Sequence, residues 1–592
     1  MPKNNGFVYP LTVTSDGKSL MYIACDQVTG MQYDVVVCPV IQLTEMIRNV
    51  DNNSTLIKLK FHNGINETEF QMPYDKVTNK DLINTLMKNS FIVEDMYAPE
   101  LCSYVTNLVR NFPTKNIQYL HSSLGYHHNN SLGAMAYFAD KSYNATIQST
   151  LANNTNGLFG PNGDIKIYDS MLKKEVLPNP KLQLAFVLGF VAPIVPLLSS
   201  KTSVDVIISN FSGLSSTGKT TSLSLMASVW GSGAVTNQGI IKTFFATNNS
   251  LLSNLTNNMG FPVLFDDYET GNENAYGLTS LLYQIAQGES KGRCDVDGGM
   301  RPTYSWKTFV ALSGETSIFE RTIKKQGLHG RVLEFNDFAW TKSKQNSENI
   351  TSVTRTNYGF YGPQFVQKLA TLPIETLESK YDSAYATVIG KITSSNGIEA
   401  RMVSKIAYIY LTAQLVRELL DIKIDTNAVL DLLVSNEKES RITRDVYAEA
   451  LDTIKELITK NLSGIQCVRH LEKGYTGRLI GKKEINRHTG ATEISLLTTV
   501  VDEELERKGF NDRLKILKHL ADQNYLERSN DRLFRMITIG YLSQKCYKFI
   551  FHDYVEPTRQ IVCSGQPAPE CETHYDDEEA IDEIFNNEDN DQ

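Results

Sequence analysis

Gly213-Leu214-Ser215-Ser216-Thr217-Gly218-Lys219-Thr220 is the stretch on which the reading of this chain turns. The apolar run 204–208 precedes it and reads as a buried strand. The run 221–229 follows it and reads as a helix. Strand, Gly-x-x-x-x-Gly-Lys-Thr loop and helix together are a P-loop. The glycines let backbone N–H groups close around phosphates, and the helix N-terminus adds a favourable dipole. Lys219 is expected to meet the β- and γ-phosphates and the Thr220 hydroxyl to hold Mg2+. With Leu214, Ser215, Ser216, Thr217 and Thr221 they make up the candidate nucleotide-binding set, and ATP and Mg2+ are the expected cofactors. A chance Gly/Ser loop would lack the flanking strand and helix.

Working outward, Val263-Leu264-Phe265-Asp266-Asp267 is a second buried strand that ends in acid. Asp266 is expected to hold the metal alongside Thr220. Asp267 is expected to orient or deprotonate the attacking water, with Glu269 as the fallback base. A third apolar run, 308–312, ends at Ser313, placed to sense the γ-phosphate or hold the water. A fourth, 332–335, is preceded by Arg331, a candidate finger into a neighbouring subunit's site. Charge neutralisation of that kind is worth roughly 10³–10⁵ in rate. Arg401 opens an amphipathic helix and is expected to touch the γ-phosphate from above. The bland alternatives are a solvated acidic turn, a polar strand end and arginines in ordinary salt bridges.

Between the acidic motif and Ser313 lies Glu289–Arg301, basic and glycine-rich. Asp297-Gly298 is a hairpin-turn pair. A hairpin there, carrying Lys291, Arg293 and Arg301, is a candidate grip on the backbone of a single DNA strand. Its alternative is an exposed loop.

The chain has 592 residues, 41% hydrophobic and 21% charged, with a net charge of −9. At roughly 100–200 residues per domain it holds about three or four domains. An acidic balance excludes a general basic nucleic-acid coat, so any such site is local. The eight cysteines include no C-x-x-C pair and read as reduced thiols. Cys467 and His470 lack the second half of a zinc site. No apolar signal core opens the chain, and the apolar stretch 182–198 is short and carries Pro193 and Pro196. It therefore reads as a buried helix, and the expected location is the cytoplasm without membrane attachment.

The expected fold class is α/β: a P-loop core with a parallel sheet, an α+β domain before it, and a helical lid and winged helix after it. Residues 1–165 form the α+β domain, a candidate for DNA binding or loading, and its Asn/Gly-rich end (151–164) reads as a linker. The ATPase core spans 166–400, the helical lid 401–490 and the winged helix 491–560. Residues 561–592 are an acidic tail whose composition favours disorder. In the winged helix, 525–528 and 533–536 flank the turn 529–531, and Arg528, Arg532 and Arg535 decorate the wing.

The order of these motifs resembles the AAA+ ATPases. Phe211-Ser212-Gly213-Leu214-Ser215-Ser216-Thr217-Gly218-Lys219-Thr220-Thr221 with Ala227-Ser228-Val229-Trp230-Gly231 is similar to a helicase-like family of phages and mobile elements. Its members in the staphylococcal cassette chromosome, the Cch type, are similar to the MCM replicative helicases. Gly288-Glu289-Ser290-Lys291-Gly292-Arg293, Leu312-Ser313-Gly314-Glu315 and His121-Ser122-Ser123-Leu124-Gly125-Tyr126-His127 carry the same likeness, which spans residues 115–550. The resemblance implies a hexameric ring, ATP-driven translocation on single-stranded DNA, unwinding of forked duplex, and replication proteins of the same element as partners. It also implies Lys291 in a pore hairpin and Arg331 acting in trans. Asp267 departs from the more usual Glu.

Two other functions fit the motifs: an AAA+ loader or remodeler acting on protein, and a nucleotide switch that does not hydrolyse. The basic loop 289–301 argues against the first, and the set Lys219, Thr220, Asp266 and Asp267 against the second.

Overall fold

The computed structural model describes residues 10–552 apart from 27, 129–134, 146, 153, 155–156, 236–238, 272, 293, 295–302, 393–396, 444, 468–477 and 530–531. The chain divides between two compact units. One takes in the residues up to 452 together with 503–516, and the other 453–502 with the residues from 517 on.

Four long apolar runs and one short piece build the central sheet of the first unit. These are β1 (Val206–Ser212), β2 (Lys242–Thr243), β3 (Val263–Asp266), β4 (Thr308–Ser313) and β5 (Val332–Asn336). They lie in the order β2-β3-β4-β1-β5, and every pairing is parallel. A parallel sheet carries helices on both faces, so its strands are apolar at successive positions and not at alternate ones. β1 and β4 are buried at every residue accordingly. β2 was absent from the sequence reading: its two residues are exposed, and Lys-Thr carries no apolar signal.

The apolar stretch from 182 forms two helices, Pro180–Leu188 and Ile194–Thr202. The first is buried at each position from Leu182 to Leu188. Among the described residues, no helix is long and apolar enough to cross a membrane. Helix Gly397–Leu420 packs into the same core through Met402, Val403, Ile406 and Leu415.

The N-terminal part has its own five-stranded sheet, in the order Thr150–Leu151, Gln118–His121, Ile41–Asn49, Thr55–His62, Glu67–Pro73. Ile57, Leu59 and Phe61 alternate inward. Helices Asn79–Lys88 and Ala98–Arg110 cover them with Leu82, Leu86, Leu101 and Val105. The segment read as a linker differs from that expectation. Gly160 N donates to Trp230 O at 2.9 Å, and Asn162 and Tyr358 exchange two backbone bonds of 3.0 Å. Tyr126, Tyr137 and Tyr143 lie in the same apolar core as the central sheet. Asn and Gly supply turns in packed straps as readily as in linkers, so composition alone did not separate the two.

In the second unit the sheet order is Ile465–Cys467, Gly481–Ile485, Thr492–Leu497, Leu542–Phe551, Arg535–Ile539. Ser529 and Arg532 do pair where the turn was expected, by backbone bonds of 2.9 and 3.0 Å, but the long hairpin of the sheet is Arg535–Ile539 with Leu542–Phe551. The reason lies in Tyr525–Glu527, which pairs with the long strand instead. Glu527 N donates to Lys548 O and Ile550 N to Tyr525 O, both at 2.9 Å. Lys548 bridges Glu493 at 2.6 Å and Glu527 at 3.0 Å, and so pins that register. Two arginines of the expected wing have acidic partners: Arg528 pairs with Asp522, and Arg535 lies 2.9 Å from Glu527. Residues 561–592 and His470 lie outside the described residues.

Trp230 joins the strap to the core. It is 1% exposed, stacks on Tyr137 at 5.5 Å between ring centroids, and donates from Nε1 to Gly189 O at 2.8 Å. Trp230→Ala should destabilise the first unit by about 3–5 kcal/mol and lower the melting temperature of the full chain. An unchanged melt would contradict this account of the junction.

Candidate functional site

Parallel pairing sets the C-terminal ends of β1, β4 and β3 side by side on one sheet edge, where ligands of open α/β sheets bind. A cleft of about 810 Å3 opens there, lined by residues of the loop 215–221, by Asp266, Asp267, Glu269, Ser313 and Glu315, and by Thr341, Lys344 and Ser347. Of the nucleotide-binding set named from the sequence, Ser215, Ser216, Gly218, Lys219, Thr220 and Thr221 line it, together with the carboxylates Asp266, Asp267 and Glu269.

The loop 213–218 has its conformation because glycine stands at its two tightest points. Gly213 has φ +125° and Gly218 φ +91°. A Cβ on Gly213 would lie 2.8 Å from Asp337 Oδ1, and one on Gly218 2.7 Å from Thr341 Oγ1. Helix Lys219–Ala227 starts directly after Gly218, so its free N–H groups face the cleft. Lys219 Nζ donates to Gly213 O at 2.7 Å and Leu214 O at 2.8 Å and so lies against the loop. Burial holds its ammonium below the usual lysine range. The carboxylates of Glu315, Glu269, Asp266 and Asp267 act in the opposite direction.

Asp266 is the junction of the acidic edge. Its Oδ1 accepts from Ser313 Oγ at 2.5 Å and from Thr220 Oγ1 at 3.3 Å. Ser313 Oγ in turn accepts from Asp267 N at 3.1 Å. Three motifs from separate parts of the sequence thus converge on one carboxylate oxygen.

Asp267 and Glu269 separate here. Asp267 has φ +55° and a carboxyl raised above the ordinary aspartate value, by burial first and then by Asp266, Glu269 and Glu315. Burial also acts to raise Glu269, but donation from the Thr316 hydroxyl and backbone N–H overrules it, and the net shift is downward. Those bonds are 2.5 and 2.7 Å. A carboxylate already holding two donors is the weaker base of the two.

Glu315, Thr341, Lys344 and Ser347 were missed as cleft residues. Glu315 accepts from Ser215 Oγ, and its carbonyl accepts from Gly213 N at 3.1 Å, which ties the loop after β4 to the P-loop. A polar Gly-Glu pair directly after a buried strand was its only signal. Ser347 Oγ lies 2.6 Å from Thr221 Oγ1.

Arg331 and Arg401 are not in this cleft. They line another, of about 680 Å3, with Lys201, Asp205, Tyr381 and Lys405, at the edge where β1 and β5 begin. Seven residues of β1 at about 3.3 Å each put roughly 20 Å between the two edges. Arg401, expected to touch the γ-phosphate from above, is thus away from the cleft of its own chain. Periodicity located its helix but not the end of the sheet against which the helix packs. Arg331 stacks over Tyr283, its guanidinium 4.5 Å from the ring centre, and donates to Gly327 O at 2.8 Å.

At the basic loop, Glu289 and Ser305 form an antiparallel bridge, and Ser290 N donates to Tyr304 O at 2.7 Å. Lys291 is exposed just beyond that stem. Arg293 and Arg301 lie outside the described residues.

Residues 13–305 match the model of a family described as Domain of unknown function (DUF927), and residues 445–553 that of the Cch helix turn helix domain. Among solved structures, the chain is similar to one titled "SCCmec type IV Cch - active helicase". The two are 20% identical with a TM-score of 0.70, over 93% of this chain and 98% of that one. The chain shares that structure's fold. No curated protein matches.

Gly218→Ala puts a methyl group where Thr341 stands and should weaken binding of a fluorescent ATP analogue at least tenfold. Unaltered affinity would remove the phosphate-binding reading of the loop.

Proposed function

We propose that this chain is an AAA+ ATPase that assembles into a ring and translocates on single-stranded DNA, unwinding duplex in the replication of a mobile element. The observation that carries the reading is the convergence of Lys219, Thr220, Asp266, Asp267 and Ser313 in one cleft, with Arg331 and Arg401 together at the opposite edge. The likeness to a structure titled an active helicase, and the match to a Cch helix turn helix domain, support DNA as the partner.

The residues present fit ATP and Mg2+. The glycines leave space that a Cβ would fill, and the Thr220 and Asp266 oxygens stand 3.3 Å apart, as two ligands of one cation do. Bound Mg2+ neutralises charge developing on the transferred phosphoryl group. Lys219 and the helix N-terminus bind the phosphates, Ser313 holds Asp266 in place, and Asp267 takes the proton from water. Arg331 and Arg401 serve the site of a neighbouring subunit. Lys291, Arg293 and Arg301 contact the translocated strand.

ATP hydrolysis should rise with single-stranded DNA and vanish in Lys219→Ala. Hydrolysis indifferent to DNA would redirect the reading to a protein remodeler. Asp267→Asn should abolish turnover while nucleotide still binds, and Glu269→Gln should slow it far less. The base works deprotonated, so the rate should fall on acidification. An acid limb that survives in Asp267→Asn would assign the base elsewhere. Mixing Arg331→Ala with Lys219→Ala, each inactive alone, should restore some hydrolysis, because mixed interfaces pair an intact loop with an intact arginine. No recovery would remove the action in trans.

A further inference from the structure

The hairpin Arg535–Ile539/Leu542–Phe551 carries side chains that the motor does not account for. Its strands are in register from Arg535↔Cys546 to Ile539↔Leu542, leaving Gly540 and Tyr541 as the tip. Gly540 takes φ +62°, and its N–H donates to Gln466 Oε1 at 2.9 Å. The turn is thereby braced against strand Ile465–Cys467 and presents its next residue rigidly. That residue, Tyr541, is 94% exposed, with Leu542 at 65% and Met536 at 58%. Met536 lies opposite Lys545, whose ammonium is 5.3 Å from the centre of the Phe534 ring.

An exposed aromatic ring on a braced tip has no role in the core. A stable protein partner needs roughly 800 Å2 on each side, far more than one ring and two aliphatic chains offer. A nucleobase needs only a ring of its own size. The hairpin itself also offers a cation, since Lys545 is exposed on it and can face a phosphate. Bases inside a duplex are already stacked on both faces, whereas an unpaired base or the last base of a duplex has a free face.

We infer that Tyr541 stacks on an exposed base at a single-strand/duplex junction, which makes the hairpin tip a junction-reading element. The inference rests on the reading that the chain works on DNA. It does not require ATP hydrolysis.

The test uses the full chain without nucleotide and a tailed duplex with 2-aminopurine at the first unpaired position. Wild type should bind and quench the 2-aminopurine. Tyr541→Ala should bind about tenfold more weakly and lose the quenching, while Tyr541→Phe keeps both. Quenching retained in Tyr541→Ala, loss in Tyr541→Phe as complete as in Tyr541→Ala, or no binding by wild type would each overturn it. Stacking by a chain that hydrolyses no ATP would sink the motor and leave this inference standing.

Discussion

Four carboxylates, Asp266, Asp267, Glu269 and Glu315, act on a single ammonium, that of Lys219. The cleft therefore carries more negative than positive charge at neutral pH. Such an excess in a partly buried place is unfavourable unless hydrogen bonds or a cation offset it. The hydrogen bonds are visible: Thr316 on Glu269, Ser313 and Thr220 on Asp266, and Ser215 on Glu315. Each also ties one chain segment to another, so the local electrostatics hold the β3 and β4 ends and the P-loop together. What these bonds leave uncompensated suits a divalent cation arriving with a phosphate chain.

The sheet makes this convergence possible. Because β4 lies between β1 and β3, Ser313 stands between the P-loop and Asp266. Had β3 paired directly with β1, Ser313 would fall outside the cleft. The register Phe211↔Ser313 sets how far each strand end projects. Beneath it, buried Glu334 accepts from Asn210 Nδ2 at 2.8 Å, Ser212 Oγ at 3.1 Å and Ile318 N at 2.9 Å. β1, β5 and the loop after Ser313 are thus tied together at one buried group. Burial raises the Glu334 carboxyl, and the donors act against that rise.

Much of this was legible in the sequence because parallel strands read as unbroken apolar runs and because a Gly-x-x-x-x-Gly-Lys-Thr spacing between strand and helix fixes residue types at fixed positions. β1, β3, β4 and β5 lie within one to four residues of their expected ends. What escaped had no local signature. β2 is two exposed polar residues held only by pairing with β3. The strap 157–164 has the composition of a linker, and the buried Trp230 that anchors it lies some seventy residues away in the chain. In the second unit the expected hairpin does not extend beyond the Ser529–Arg532 pair because Leu526, 2% exposed, takes Tyr525–Glu527 onto the long strand. Arg401 lies on the expected helix but lines the other cleft, since periodicity gives a helix face and not the neighbour of its end.

The separation of the arginines from the phosphate loop has a consequence for assembly. If the arginines serve a neighbour, as proposed, the surface that supplies them and the surface that needs them differ, and the contact is heterologous, one copy's arginine edge meeting the next copy's loop edge. Contacts of that kind repeat head to tail, and they end either in a closed ring or in an open filament. A two-fold dimer, which pairs like with like, would leave both edges unserved. Arg331 stacks on Tyr283 and donates to Gly327 O, with no salt bridge to it among the described residues, an arrangement that suits the proposed role. On the proposed reading, an arginine of this kind acts only when a neighbour is present, and hydrolysis would be coupled to assembly.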